Sequence, residues 1–280
     1  MINAQTKLFC VIGHPIKHSK SPDMHNAALE KSGINGCYVA FDIAPEKLCD
    51  FVAGMRAMGI TGANVTIPHK ESVVKYLDGV TKEAEIIGAV NTIFMENGKL
   101  IGDNTDGRGF IISLMKDSGF DPKDKKVVVL GAGGAPRAVV SKLADEGCRE
   151  VAVYDIDGVK SEALAEKVRE VTRKKSAVSI KAVELIERAK EADLIVNCTP
   201  VGMKETDPVL LPEECFNASQ VVYDLIYNPE KTVLLKIAEK RGARVLNGMG
   251  MLVYQGALAF EKWTGEKPDT EVMFKMIKGE

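Results

Sequence analysis

Residues 127–155 leave a chain like this little choice of fold. Val127-Val-Val-Leu130 is a short β-branched apolar run, glycines at 131, 133 and 134 follow it at once, and Pro136 opens a stretch of helical composition lasting to Glu146. A second apolar strand, Glu150–Tyr154, comes after Gly147-Cys-Arg149. Strand, tight loop, helix and strand make a βαβ unit, whose right-handed crossover places both strands in one parallel sheet. Gly131 and Gly133 let the backbone turn sharply and approach an anion closely, and the amides opening the following helix point outward to hold it. The third glycine common in such loops is Pro136 here, which suits a first helical turn because it needs no amide hydrogen.

Asp155 closes the second strand about 20 residues after Gly133, where a carboxylate accepts hydrogen bonds from the hydroxyls of an adenosine ribose. Gly131, Ala132, Gly133, Gly134 and Ala135 with Asp155 therefore read as a dinucleotide site. A plain turn and a solvated strand end would leave that spacing unexplained. Asp155 would repel a ribose 2′-phosphate, and Ile156-Asp157-Gly158 offers no arginine fork for one. NAD is expected over NADP.

The rest of the chain repeats strand and helix signals. Further strands are expected at 178–181, 194–198, 221–225 and 244–246, with helices such as 162–173 and 231–241, which makes residues 106–248 a Rossmann-like, doubly wound nucleotide-binding domain. Before it, strands at 7–13, 38–43 and 62–67 alternate with helices from Ser21 and over 45–58, predicting an α/β domain with a mainly parallel sheet. Asn97-Gly98 supplies the positive φ angles of a tight hairpin between 91–95 and 99–102. Residues 110–117 read as a connecting helix, and the apolar segment 252–263 as a helix that returns to the first domain. The expected division is residues 1–105 completed by 249–280, with 106–248 between them.

Length and composition agree with two domains. A chain of 280 residues exceeds one core of typical size. With 45% hydrophobic and 27% charged residues it is an ordinary globular composition. A net charge of -2, with lysine and arginine scattered, gives no footprint for nucleic acid or an anionic membrane, and no run of about 18 apolar residues exists to span one. The six cysteines form no C-x-x-C pair and the four histidines no H-E-x-x-H, so neither a metal site nor a disulfide framework is expected. The N-terminus lacks signal-peptide features. These readings favour a cytoplasmic protein with a small-molecule partner, and leave a homodimer open.

Several segments taken together resemble the shikimate dehydrogenase family: Ile12-Gly-His-Pro-Ile-Lys-His-Ser-Lys-Ser-Pro22, Asn64-Val-Thr-Ile-Pro-His-Lys70, Gly88-Ala-Val-Asn-Thr92 and Asn104-Thr-Asp-Gly107. The similarity continues through Asn197-Cys-Thr-Pro200, Asp224-Leu-Ile-Tyr-Asn-Pro229, Asn247-Gly-Met-Gly250 and Tyr254-Gln-Gly-Ala257, so it spans nearly the whole chain. The resemblance implies reversible reduction of 3-dehydroshikimate to shikimate with a nicotinamide cofactor, in the route to the aromatic amino acids. It implies substrate contacts from Ser19, Ser21, Thr66, Asn91, Tyr227 and Gln255, acid–base chemistry by Lys70 and Asp106, and cofactor contacts from Thr199, Leu225 and Gly248 beside the glycine loop. NADP stays possible through the family.

Elementary chemistry points the same way. A small polyol acid is read by neutral hydroxyl and amide groups, with hydroxyl or cationic donors for its carboxylate. Oxidising a secondary alcohol requires a base within hydrogen-bond reach of the hydroxyl as hydride leaves the same carbon. A lysine steadied by a neighbouring carboxylate can take that proton, and return it in the reducing direction. Taken singly, Lys70 is an ordinary helix-start lysine, Asp106 a turn residue, Ser19 and Ser21 helix-capping serines, and Asn64 and Thr92 strand-end residues that satisfy backbone groups. Asn64 and Thr92 are accordingly left out of the expected site. Two rival functions share the fold: an NAD-linked quinate/shikimate dehydrogenase, and a non-catalytic ligand sensor.

Overall fold

The computed structural model describes residues 2–280, so only Met1 of the expected first domain falls outside it. The chain opens with β1 (Lys7–Gly13), α1 (Ser21–Lys31), β2 (Gly36–Asp42), α2 (Leu48–Met58) and β3 (Gly62–Val65). The helix expected from Pro45 begins as a single 3-10 turn, Pro45–Lys47, before α2. Gly59 ends α2 with φ 66, where its amide caps the Met55 carbonyl. Then come β4 (Gly79–Val80), α3 (Lys82–Ile87), β5 (Thr92–Glu96) and β6 (Lys99–Asp103). The strands lie in the order β2-β1-β3-β5-β6-β4. The hairpin at Asn97 and Gly98, with φ of 51 and 76, sets β5 antiparallel to both β3 and β6, while the other three pairings are parallel.

β1 lies inside this sheet, and its sequence shows why. Phe9 and Val11 face a core shared with Met24, Ala28 and Leu29 of α1, while Cys10 and Ile12 face Leu48, Val52 and Met55 of α2. Alternate side chains of one strand thus enter two different cores, so an uninterrupted apolar run is what both faces need.

α4 (Asp106–Ser118) leads to the second sheet, built from β7 (Lys126–Leu130), α5 (Gly134–Asp145), β8 (Glu150–Tyr154), α6 (Gly158–Thr172), β9 (Ala177–Ser179), α7 (Ala182–Glu191), β10 (Leu194–Asn197), β11 (Val221–Asp224), α8 (Val233–Lys240) and β12 (Arg244–Leu246). All its pairings are parallel, in the order β12-β11-β10-β7-β8-β9. The winding reverses beside β7, the switch point where such sheets bind ligands at the carboxyl ends of their strands. Val127 and Val129 enter one core and Val128 and Leu130 the other.

α9 (Met249–Thr264) and α10 (Thr270–Lys278) complete the chain. Two compact units result, Met1–Gly109 with Val253–Glu280, and Phe110–Leu252, and their limits fall inside α4 and α9. Both helices start earlier than the apolar pattern suggests, because glycines usually read as breakers are helical here. At Gly109 a Cβ would come within 2.6 Å of the Gln255 amide nitrogen, and at Gly250 it would strike the Ser113 hydroxyl and the Asp117 carboxylate. α10 has a clear start signal: the Asp269 side chain accepts from the amides of Glu271 and Val272. No helix among the described residues is long and apolar enough to cross a membrane.

Candidate active site

Lys70 and Asp106 meet in the first unit. The Lys70 ammonium lies 2.6 Å from Asp106 Oδ2, with side-chain exposures of only 17% and 7%. Lys70 follows β3 in a turn in which the Val73 amide donates to the His69 carbonyl, and its own carbonyl accepts from Val90. Asp106 is the first residue of α4, where the unpaired amides of the opening turn favour a carboxylate. Its amide donates to Asn104 Oδ1, which fixes the backbone at that start.

Asn91 and Gln255 join this pair. Asn91 Nδ2 donates to Asp106 Oδ1 at 2.8 Å and has Thr105 Oγ1 and Gln255 Oε1 at 2.9 and 3.2 Å. Both oxygens of Asp106 are therefore acceptors, one from lysine and one from asparagine. Ser19 and Thr66 occupy the loops after β1 and β3, and Ser21 opens α1 at the end of the first loop; β1 and β3 are parallel neighbours that pair Ile12 with Val65, so both loops leave the same end of the sheet. Ser21 is buried and Ser19 half-buried. The Ser21 amide donates to Ser19 Oγ at 3.3 Å, while the N-cap of α1 is Lys20, with no side-chain cap, so the capping role open to Ser21 is not taken. Tyr227 lies in the second unit, in the loop after β11, and burial raises its phenol pKa.

In the second unit the glycine loop has the form an anion needs. Gly131 has φ +103, its amide donates to the Tyr154 carbonyl, and a Cβ there would sit 3.1 Å from Thr199 Cγ2. Gly133 caps α5 without any side-chain acceptor, and a Cβ at Gly133 or Gly134 would meet no heavy atom within 4 Å. The backbone at the start of α5 thus has open space beside Gly133 and Gly134, which fits a pyrophosphate at the helix's unpaired opening amides. Asp155 follows β8 directly, with Oδ2 accepting from the Ala132 amide and Oδ1 from the Asp157 amide, at 2.7 and 2.9 Å. The same carboxylate therefore shapes the glycine loop, and its remaining lone pairs are available to hydroxyl donors. Thr199 is held by its amide and hydroxyl on Asn197 Oδ1. A Cβ on Gly248 would collide with the Leu225 carbonyl, so the two backbones touch there.

Comparison with known proteins agrees along the whole length. Residues 11–93 match the shikimate dehydrogenase substrate binding domain, 113–218 shikimate / quinate 5-dehydrogenase, and 248–273 the shikimate 5'-dehydrogenase C-terminal domain. The shikimate dehydrogenase (NADP(+)) of Methanopyrus kandleri is 48% identical, over 99% of this chain and 96% of that protein. The chain belongs to the shikimate dehydrogenase family. A crystal structure of shikimate dehydrogenase in complex with NADP+ superposes with a TM-score of 0.94 at 47% identity, covering 100% of this chain and 97% of that one. The shikimate 5-dehydrogenase of Listeria monocytogenes, in complex with shikimate and NAD, does so with a TM-score of 0.89 at 37% identity, covering 99% and 98%.

Within this member of the shikimate dehydrogenase family, the site contains residues that sequence reasoning missed. Thr105, buried beside Asp106, donates its amide to Asn91 Oδ1. Thr92 and Asn64 are also buried; the Thr92 hydroxyl bonds side chains, and the Asn64 amide bonds the Asn91 carbonyl as well as side chains. The available signal was the concentration of polar residues, Asn91-Thr92 and Asn104-Thr105-Asp106, at the ends of otherwise apolar strands. Nearby, Asp103 holds Arg108, Lys262 and the Thr81 hydroxyl. Burial pushes its pKa up, but the hydroxyl and the two cations outweigh that and hold it below the ordinary carboxylate value. In the second unit Asp224 shows the opposite balance: burial raises its pKa despite hydrogen bonds from Thr232, Ile226 and Asn197.

Proposed function

We propose that this chain reversibly reduces 3-dehydroshikimate to shikimate with a nicotinamide cofactor, with Lys70 and Asp106 as the acid–base pair. The observation that carries this reading is the close ion pair of Lys70 and Asp106, surrounded by the amides of Asn91 and Gln255. A lysine with three hydrogens can keep one on Asp106 and direct another at a substrate oxygen. In the oxidative direction the neutral amine of Lys70 takes the hydroxyl proton and becomes the ammonium, and in the reductive direction the ammonium gives a proton to the forming hydroxyl and returns to the amine. Ser19, Ser21, Thr66, Asn91 and Gln255 supply the neutral donors and acceptors that a polyol acid requires, and the first unit is assigned to substrate recognition.

The second unit is assigned to the cofactor. When bound, the nicotinamide supplies hydride transfer to or from the substrate carbon. The α5 amides and Gly131 to Ala135 would hold its pyrophosphate, with Thr199, Leu225 and Gly248 presenting backbone or hydroxyl groups from neighbouring loops. We infer NAD as the preferred form. Asp155 places a negative charge where a 2′-phosphate would lie, Ile156 is 95% exposed, and the nearby Lys160 is 3.5 Å from Asp157. The family includes members described with each cofactor. The cytoplasm is the assigned compartment, in keeping with six free cysteines.

The test is a rate matrix of shikimate and quinate against NAD and NADP. The reading requires shikimate to exceed quinate in kcat/KM, and NAD to exceed NADP. A quinate preference would replace the substrate assignment, and absence of turnover with all four combinations would favour the ligand-sensor alternative.

A further inference from the structure

Asn91 has a side chain whose two ends match in shape and oppose each other in hydrogen bonding, so its neighbours alone decide which end faces Asp106. On the oxygen end, Asn91 Oδ1 accepts the Thr105 amide at 2.8 Å and the Thr92 hydroxyl at 2.9 Å. On the nitrogen end, Nδ2 faces the acceptors Asp106 Oδ1 and Gln255 Oε1. An inverted amide would set oxygen against the Asp106 carboxylate and nitrogen against the Thr105 N–H, two repulsive contacts at a site where Asn91 is 2% exposed and Thr92 0%.

The Thr92 hydroxyl is itself aimed. It has one hydrogen, given to Asn91, and on its acceptor side Asn64 Nδ2 lies at 3.4 Å. Asn64 is oriented in turn by the Tyr38 hydroxyl, which donates to its Oδ1 at 2.7 Å. Strand pairing fixes this arrangement, since Thr92 of β5 is in register with Asn64 of β3 on one side and Asp103 of β6 on the other. A line of side-chain hydrogen bonds thus runs from a buried tyrosine through Asn64, Thr92 and Asn91 to the carboxylate that holds Lys70.

We propose that Thr92 is a positioning residue for the reaction: its hydroxyl locks the Asn91 amide in the one orientation that presents N–H to Asp106, and so keeps the carboxylate aligned on Lys70. Thr92 does this without bonding to either reacting side chain. The inference rests on the assignment of Lys70 and Asp106 as the acid–base pair.

The experiment uses the full-length protein with shikimate and NAD. Thr92→Val keeps shape and removes the hydroxyl, and should lower kcat/KM by about tenfold, the scale of one lost hydrogen bond at a buried site. Thr92→Ser keeps the hydroxyl and should recover to within about threefold of the parent. In an Asn91→Ala background the same Thr92→Val change should have less than about a twofold effect, because its target is gone. Parental rates in Thr92→Val, or an undiminished tenfold loss without Asn91, would overturn the proposal and leave Thr92 a packing residue. Should the valine variant fail to fold, Thr92→Cys, a weak donor of similar size, takes its place; activity equal to that of Thr92→Ser would then overturn it. Lys70→Ala is measured in parallel: retained turnover there overturns the acid–base assignment itself, whatever Thr92 does.

Discussion

Asp106 accepts from Lys70 on one carboxylate oxygen and from Asn91 on the other, so the acid is held between a cation at 2.6 Å and an amide at 2.8 Å. This two-sided grip fixes the lysine in direction as well as in distance. Replacing Lys70 by alanine removes the proposed proton carrier and leaves the rest of the site standing. We expect kcat to fall by roughly 10²–10⁴-fold with a far smaller change in KM, the usual scale of lost acid–base catalysis. Steady-state kinetics with shikimate checks it.

The Asp155 carboxylate both shapes the glycine loop, through Ala132, and sets the charge at the end of β8. Asp155→Asn with Ile156→Arg removes the negative charge and adds a planar cation beside it. The ratio of kcat/KM for NADP over NAD should rise by at least about tenfold in the pair of substitutions. An unchanged ratio would show that cofactor choice is made elsewhere.

Gly248 touches the Leu225 carbonyl so closely that no Cβ fits. Gly248→Ala must displace one of two backbone segments, at a cost of about 1–3 kcal/mol. Thermal denaturation should show a lowered Tm, and the KM for the nucleotide should rise more than that for shikimate. An unchanged Tm would mean that the contact relaxes freely.

His25 is buried and stacked on Tyr38 with ring centroids 4.4 Å apart, and burial lowers its pKa to about 3. In the unfolded chain the same imidazole titrates near 6.5. The unfolded state therefore binds the extra proton first as pH falls, and stability declines from about pH 6.5 down to about pH 3, by up to about 1.4 kcal/mol per pH unit. His25→Phe keeps an aromatic stack and removes the titration. Over that range the denaturant midpoint of the parent should fall more steeply with decreasing pH than that of the variant, and parallel curves would refute the account.

The alternation of strand and helix, the order of the second sheet and the glycine loop were legible because each follows from local periodicity and turn chemistry. Gly109 and Gly250 look like breakers in sequence, yet each is a helical position that takes glycine because a neighbour distant in sequence occupies the place of a Cβ. The motifs marked Lys70, Asn91, Asp106 and Gln255, which the structure gathers into one hydrogen-bonded group. Asn64 and Thr92 were set aside, since a polar residue at a strand end looks the same in sequence whether it serves the backbone or another side chain. Only the register of β3, β5 and β6 reveals which.

The first unit takes its residues from both ends of the polypeptide, with Phe260, Trp263 and Met273 sharing a core with Phe9, Met24 and Tyr38. A ribosome emits the N-terminal sheet long before α9 and α10 exist. At about 5–20 residues per second the apolar face of β1 waits roughly 10–50 s for α9. The second unit, continuous in sequence, is free to fold during that interval. The first unit, begun first, is therefore the last that can be completed.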